Sequence, residues 1–260
     1  MSSDVLTISN RDGIAYVALA RPDVRNAFNA DLIAALASAF ERLGADPAER
    51  AIVLRGEGKT FCGGADVGWM RASLELSRDD NLADAKRMSE MFRTIDRCPK
   101  PVIGAVHGAA LGGGAGLAAV CDIVVCTLDA IFGFTEVKLG IIPAVISPFV
   151  LAKIGASHAR ALFLTGERFS AERAYSIGLV HQVVPQDGLD SAVERIAAEI
   201  RSAGPQAVAA AKALIARIRE TSYDESRDVT AAAIAAQRTT PEGQEGLRAF
   251  LERRKATWNE

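Results

Sequence analysis

Histidine is scarce in this chain of 260 residues, which holds only three, His107, His158 and His181. None stands at ligand spacing to another histidine or to a cysteine, so no metal is expected. The four cysteines, Cys62, Cys98, Cys121 and Cys126, form no CxxC pair. Cys121 and Cys126 read as small buried hydrophobes, whereas Cys62 adjoins a glycine-rich turn and is weighed as a nucleophile. Neither charge sign dominates, with 30 Lys and Arg against 32 Asp and Glu, which argues against a nucleic-acid partner. No apolar run approaches the roughly 20 residues of a membrane span. The start, MSSDVLTISN, has neither a signal core nor an Arg-rich presequence, and a cytoplasmic protein is expected. Three nucleotide and acyl-transfer motifs also fail. RGEGKTF has Val53 where a phosphate loop needs its first glycine, the cluster at 112–116 has Leu117 where GxGxxG needs its third, and no GxSxG occurs.

What the chain does have is 49% hydrophobic residues, enough for a substantial core, and two glycine-rich stretches. These are FCGGADVGWM at 61–70 and VHGAALGGGAGLAAVCD at 106–122. Each follows an apolar β-branched run and reads as strand, turn, then helix. Such a turn leaves backbone N–H groups unpaired at a helix N-terminus, where developing negative charge is stabilised. Two such turns side by side would form an oxyanion hole, which points to chemistry at a carbonyl.

The remaining pattern supports an α/β fold. VLTIS and IAYVALA flank the turn signal NRDG as a hairpin, a helix is expected near 30–43, and AIVLRG reads as a strand at 51–56. One polar helix is expected over about 72–97, ending before CPKP. The strands VIGAVHG, DIVVCT and IFGF follow, and helices begin near 147. Short turns between strands and helices imply β–α crossovers and a partly parallel sheet. From about 188 the pattern is helical. The expected division is a core over 1–195 and a helical oligomerisation segment over 196–260.

Four segments in order, RPDVRNAFN, FCGGADVGWM, HGAALGGGAGLAAVCDIVV and FGFTEVKLGIIP, resemble the enoyl-CoA hydratase/isomerase (crotonase) family over nearly the whole chain. The resemblance implies a core of repeated ββα units wound as a spiral, followed by a C-terminal helical segment. It implies an acyl-CoA substrate with no separate cofactor, and a homotrimer or a hexamer built as a dimer of trimers. It places the N–H groups of Ala65 and Gly113 on the thioester oxygen and makes Glu136 a catalytic carboxylate. Gly63, Gly64, Asp66, Val67, Leu111 and Gly112 would line the acyl-CoA site. Arg25, with the backbone of Val24 and Ala27, would meet the nucleotide end. Phe250 and Arg253 would complete that end from a neighbouring subunit.

One departure stands out. The two-carboxylate hydratases of the family carry a second glutamate three residues after the glycine matched by Gly113, and here that residue is Gly116. Asp66 and Asp122 lie nearby but read as structural. CGGADVGWMR, NLADAKRMSEMF and IIPAVISPFVLAKIG further resemble bacterial methylglutaconyl-CoA hydratases of leucine degradation. A distal carboxylate on the substrate would call for a cation, with Arg71, Arg87 and Lys138 as the candidates. Hydration of a 2-enoyl-CoA is thus the expected reaction. Double-bond isomerisation by Glu136 alone and acyl-CoA binding without turnover are the alternatives.

Overall fold

The computed structural model describes residues 2–259. Strand β1 (Ser2–Ser3) and the hairpin of β2 (Leu6–Arg11) and β3 (Ile14–Leu19) run antiparallel at one edge of the main sheet. The hairpin turns at Asp12 and Gly13, whose φ values of 53° and 73° match the right-handed twist of the strands. Helix α1 (Ala30–Ala45) follows, capped by the Asn29 side chain, which accepts from the Leu32 N–H. Strand β4 (Ala51–Gly56) then pairs parallel with β3.

Two helices, α2 (Val67–Ser73) and α3 (Arg78–Asp96), occupy the stretch where the sequence pattern predicts one. The chain breaks between them because Ser77 caps α3, its hydroxyl accepting from the Asp80 N–H. Next come β5 (Val102–Val106), β6 (Ala109–Leu111), α4 (Gly113–Val120), β7 (Ile123–Thr127), β8 (Ile131–Gly133) and α5 (Ser147–Thr165). Strand β9 (Arg168–Ser170), helix α6 (Ala171–Ser176) and strand β10 (Gln182–Val184) precede four helices. Those are α7 (Leu189–Ser202), α8 (Pro205–Arg219), α9 (Tyr223–Thr239) and α10 (Pro241–Glu252).

The main sheet has the order β1-β2-β3-β4-β5-β7-β10 and is parallel from β3 onward. A smaller sheet, β6-β8-β9, takes the second strand of each turn of chain. The unit strand, short strand, helix therefore repeats as β5-β6-α4 and β7-β8-α5. The unit that starts at β4 puts a single bridge residue, Cys62 beside Ala110, in place of its short strand. This is the spiral of ββα units expected of the crotonase fold.

Period-2 alternation sorts the strand residues between two cores. Ile52, Leu54, Val102, Val106 and Val124 face the large core with α1, α3 and α4. Ile14, Val53, Ile103 and Val125 face α7 through Leu189, Val193 and Ala197. The boundary expected at 195/196 thus falls inside α7. Helix α8 is tied back to the core by Lys212, whose Nζ donates to Asp122 Oδ2 at 2.6 Å. The same Asp122 oxygen accepts from the Val102 N–H, so Asp122 serves the fold, as the sequence reading holds.

Candidate active site

The bridge between Cys62 and Ala110 sets the two glycine turns side by side. Cys62 N donates to Ala109 O at 3.0 Å, and Leu111 N donates to Cys62 O at 3.1 Å. Three residues beyond the bridge on each chain lie Ala65 and Gly113. Both segments must turn sharply to expose them, and the glycines make this possible, with φ of 100° at Gly64 and 51° at Gly112. Gly113 opens α4, so its N–H has no intrahelical acceptor. Neither that N–H nor the one of Ala65 makes a hydrogen bond among the described residues.

Both residues line a cavity of ≈ 460 Å³ together with Gly63, Gly64, Gly112 and Glu136. Glu136 begins a short 3-10 turn after β8 and lies against Gly112. A Cβ on Gly112 would stand 3.2 Å from Glu136 Oε1. Burial pushes the Glu136 carboxyl above its ordinary value. Its Oε2 is buried without a hydrogen-bond partner among the described residues. A buried carboxylate with a free oxygen is suited to take and return a proton near neutral pH.

The rest of the wall is largely apolar and comes from α2, α3 and the segment after Glu136. It includes Trp69, Met70, Met88, Leu139, Ile142, Val145 and Ile146, with Ser73, Asn81, Asp84 and Thr135 as the polar members. Gly116 lies behind this wall. A Cβ there would meet Ile146 Cγ2 at 2.3 Å, so the place of a second carboxylate is filled by isoleucine.

Other expected site residues are placed differently. Asp66 is not in the cavity wall. Its Oδ1 caps α2 by accepting from the Gly68 N–H at 2.7 Å and the Trp69 N–H at 3.2 Å, and Arg21 pairs with its Oδ2 at 2.9 Å. Val67 is exposed, and Leu111 stands beside the cavity but outside its lining. Val24, Arg25 and Ala27 form a loop docked on the first glycine turn, where Gly63 N donates to Arg25 O at 2.8 Å. Phe250 and Arg253 sit at the exposed end of α10, away from the cavity lining. Of the cations weighed for a distal carboxylate, neither Arg71, Arg87 nor Lys138 lines the cavity. Arg87 donates to Asp84 at 2.9 Å.

Cys62 is fully buried and its thiol is pushed up to about 12 by burial, so it is a packed thiol and not a nucleophile. Among the described residues the His107 ring hydrogen-bonds with the Gly58 carbonyl, at 3.0 Å. Sequence reasoning missed Asn81, Asp84 and Met88, although their spacing marks one face of α3. It also missed Ile146, whose position only the packing reveals.

Two free N–H donors beside one raised carboxylate are the arrangement of an oxyanion hole with a proton-transfer group, which places the chain in the class of enzymes that work at a carbonyl. Residues 9–260 match the enoyl-CoA hydratase/isomerase family. The chain is 34% identical over 260 residues to a crotonyl-CoA hydratase from Syntrophomonas wolfei, covering 99% of each. It is 32% identical over 265 residues to a peroxisomal Δ(3,5)-Δ(2,4)-dienoyl-CoA isomerase from Arabidopsis thaliana, covering 97% of this chain and 95% of the relative. The crystal structure of an enoyl-CoA hydratase from Shewanella pealeana superposes with a TM-score of 0.94 at 36% identity, covering 98% of this chain and 96% of that one. The chain belongs to the enoyl-CoA hydratase/isomerase family.

Proposed function

We propose that the protein adds water across the 2,3 double bond of a short, branched or carboxylated 2-enoyl-CoA. The observation that carries this is the lone Glu136, raised by burial and lacking a partner on Oε2, beside the unpaired N–H groups of Ala65 and Gly113. The thioester oxygen rests between the two donors, where charge grows only as the transition state is approached, so the fixed dipoles favour the reaction over the bound substrate. Each donor is worth on the order of 10²–10³ in rate. Ionised Glu136 takes a proton from water as the water oxygen bonds to C3, and returns it to C2 of the enolate.

The sequence pattern favours methylglutaconyl-CoA, in leucine degradation, as the acyl group. Its distal carboxylate would have to draw Arg87 away from Asp84, the lining side chain that holds this cation at the wall. The second reading is 3,2-isomerisation, which needs a single proton-shuttling carboxylate. Ile146 over Gly116 favours it, since no second carboxylate fits there.

Product mass from a panel of crotonyl-, methylglutaconyl- and 3-enoyl-CoA separates the readings. A gain of one water supports hydration, and an unchanged mass with a moved double bond supports isomerisation. No turnover, with CoA thioesters still bound, would leave a binding protein.

We also infer a cytoplasmic homotrimer, or a hexamer of two trimers, with Phe250 and Arg253 completing a neighbour's CoA site. Helices α8 and α9 bury no residue within one chain, and Phe250 and Leu251 are 81% and 78% exposed, which supports this assembly. Arg25 is the basic group we assign to the CoA phosphates.

A further inference from the structure

At the far end of α4 from the active site lies a cluster of charged side chains with no part in the chemistry above. Helix α4 runs from Gly113, whose N–H is unpaired among the described residues, to Val120, with Cys121 as its C-cap. It is eight residues long, about 12 Å, and Gly114 to Val120 are all buried. The positive end of its dipole faces the substrate, and the negative end lies inside the protein, with little water to screen it. A buried helix C-terminus needs partners for its carbonyls. Lys153 of α5 is that partner: its Nζ donates to Cys121 O and, at 3.3 Å, to Asp122 O.

The neighbouring groups leave this ammonium in place. Asp122 is paired with Lys212 at 2.6 Å. His181 accepts the Val124 N–H on Nδ1 at 2.9 Å, which leaves its ring neutral. Burial raises the Asp96 carboxyl above its ordinary value. Burial lowers the Lys153 ammonium below its ordinary 10.5, against the pull of Asp122 and Asp96. Lys153 also belongs to the segment that closes the Gly116 position. Val145 and Ile146 line the cavity and lead into α5, and that helix breaks two residues after Lys153, at Gly155, with φ 73° and ψ 162°. Ile146 against Gly116 and Lys153 against the α4 C-terminus thus fix one short stretch of α5 to α4 at both ends.

We propose that Lys153 is a positioning residue for the oxyanion hole. Its ammonium holds the C-terminal end of α4 and offsets the negative pole of that helix, so the Gly113 N–H meets the enolate oxygen at full strength. The assignment rests on the reading of Ala65 and Gly113 as donors to the thioester oxygen. Lys153 touches no substrate and acts along α4. Its charge, about 15 Å from the oxyanion in a medium of effective dielectric about 20, alters an equilibrium there by roughly fivefold. A neutral thioester gains little from that field, so the benefit falls on the enolate and not on binding.

The test uses acetoacetyl-CoA, whose C2 is acidic enough to ionise in water and whose enolate absorbs in the near ultraviolet. Titration of the bound thioester gives its enolate equilibrium on wild type, Lys153→Met, Lys153→Gln and Lys153→Arg. Melting curves, and kcat and KM for crotonyl-CoA, are measured alongside. Glutamine keeps a donor without the charge, and arginine keeps the charge. In the methionine and glutamine variants the enolate equilibrium and kcat should fall together by about five- to tenfold, with KM near wild type. Arginine should restore most of both. An unchanged enolate equilibrium in a folded methionine or glutamine variant would overturn the proposal, and so would an equal loss in the arginine variant. A loss confined to KM that varies with the acyl group would make Lys153 a prop of the cavity wall and overturn it too. If neither neutral variant folds, Lys153 is structural and the proposal falls. The enolate titration holds whether the protein hydrates or isomerises. A wild type that does not favour the bound enolate over the free one refutes the donor reading and this assignment with it. A wild type that does, with neutral variants that match it, refutes this assignment alone.

Discussion

Gly116 explains why a second carboxylate is missing, and Gly116→Ala tests the explanation. The new Cβ would stand 2.3 Å from Ile146 Cγ2, 3.0 Å from Ile146 Cβ and 3.2 Å from Phe92 Cε1. Two effects oppose each other. Alanine is better than glycine inside a helix by about 1 kcal/mol. Overpacking a core costs about 1–3 kcal/mol, and a contact this short on a branched, 2% exposed side chain belongs at the upper end. The steric term wins, for a net loss of about 1–2 kcal/mol, or roughly 2–8 °C in Tm for a chain of this size. In an Ile146→Ala background the 2.3 Å contact is removed while the Cβ of residue 146 at 3.0 Å and Phe92 Cε1 at 3.2 Å remain, so the penalty of Gly116→Ala should shrink by about 1 kcal/mol or more. Calorimetry on the four proteins of this cycle, at one protein concentration, gives the coupling directly. Equal penalties in both backgrounds, or a stabilised single variant, would refute the packing account.

Two further outcomes follow from the buried groups. The proposed reaction needs ionised Glu136, and burial raises its pKa above the ordinary 4.5. The acid limb of the kcat/KM profile should therefore lie above 4.5, with activity lost as pH falls through it; a limb at or below 4.5 would contradict the burial. The same raised pKa means that the folded state binds this proton more readily than the unfolded state, so ionised Glu136 destabilises the fold above its folded pKa. Glu136→Gln should thus raise Tm near neutral pH, with the gain vanishing in acid below 4.5. Cys62, with its thiol at about 12 and no exposure, should resist iodoacetamide near neutral pH in the folded protein; rapid alkylation with loss of activity would revive the nucleophile reading.

Much of the fold was legible because local signals agree with the tertiary arrangement. The Asp12-Gly13 hairpin, the strand at 51–56 and the two glycine turns each carry their own backbone chemistry. The break between α2 and α3 was not legible, because Ser77 caps α3 inside the polar run SRDDN, ahead of the helix's apolar face at Met91, Phe92 and Ile95. Strands β9 and β10, of three residues each, are too short for alternation to register, and they exist through pairing with β8 and β7. At the site, the two glycine turns pointed to backbone donors, because such donors need only the right chain path, while the choice of Ala65 and Gly113 came from the family resemblance. Asp66 was harder. Next to the first turn it looked like a ligand contact, yet its oxygens are taken by the α2 N–H groups and Arg21. The filling of the Gly116 position by Ile146, thirty residues away in sequence, is a matter of side-chain volume that no local pattern encodes.

The central claim is that Glu136 alone moves the proton at C2, against an enolate oxygen held by Ala65 and Gly113. Its most direct test is exchange of the C2 proton of butyryl-CoA in D₂O by wild type and Glu136→Gln, with thioester binding measured in parallel. The account predicts loss of exchange by on the order of 10²–10⁴-fold or more with binding retained. Exchange that survives the substitution would contradict it.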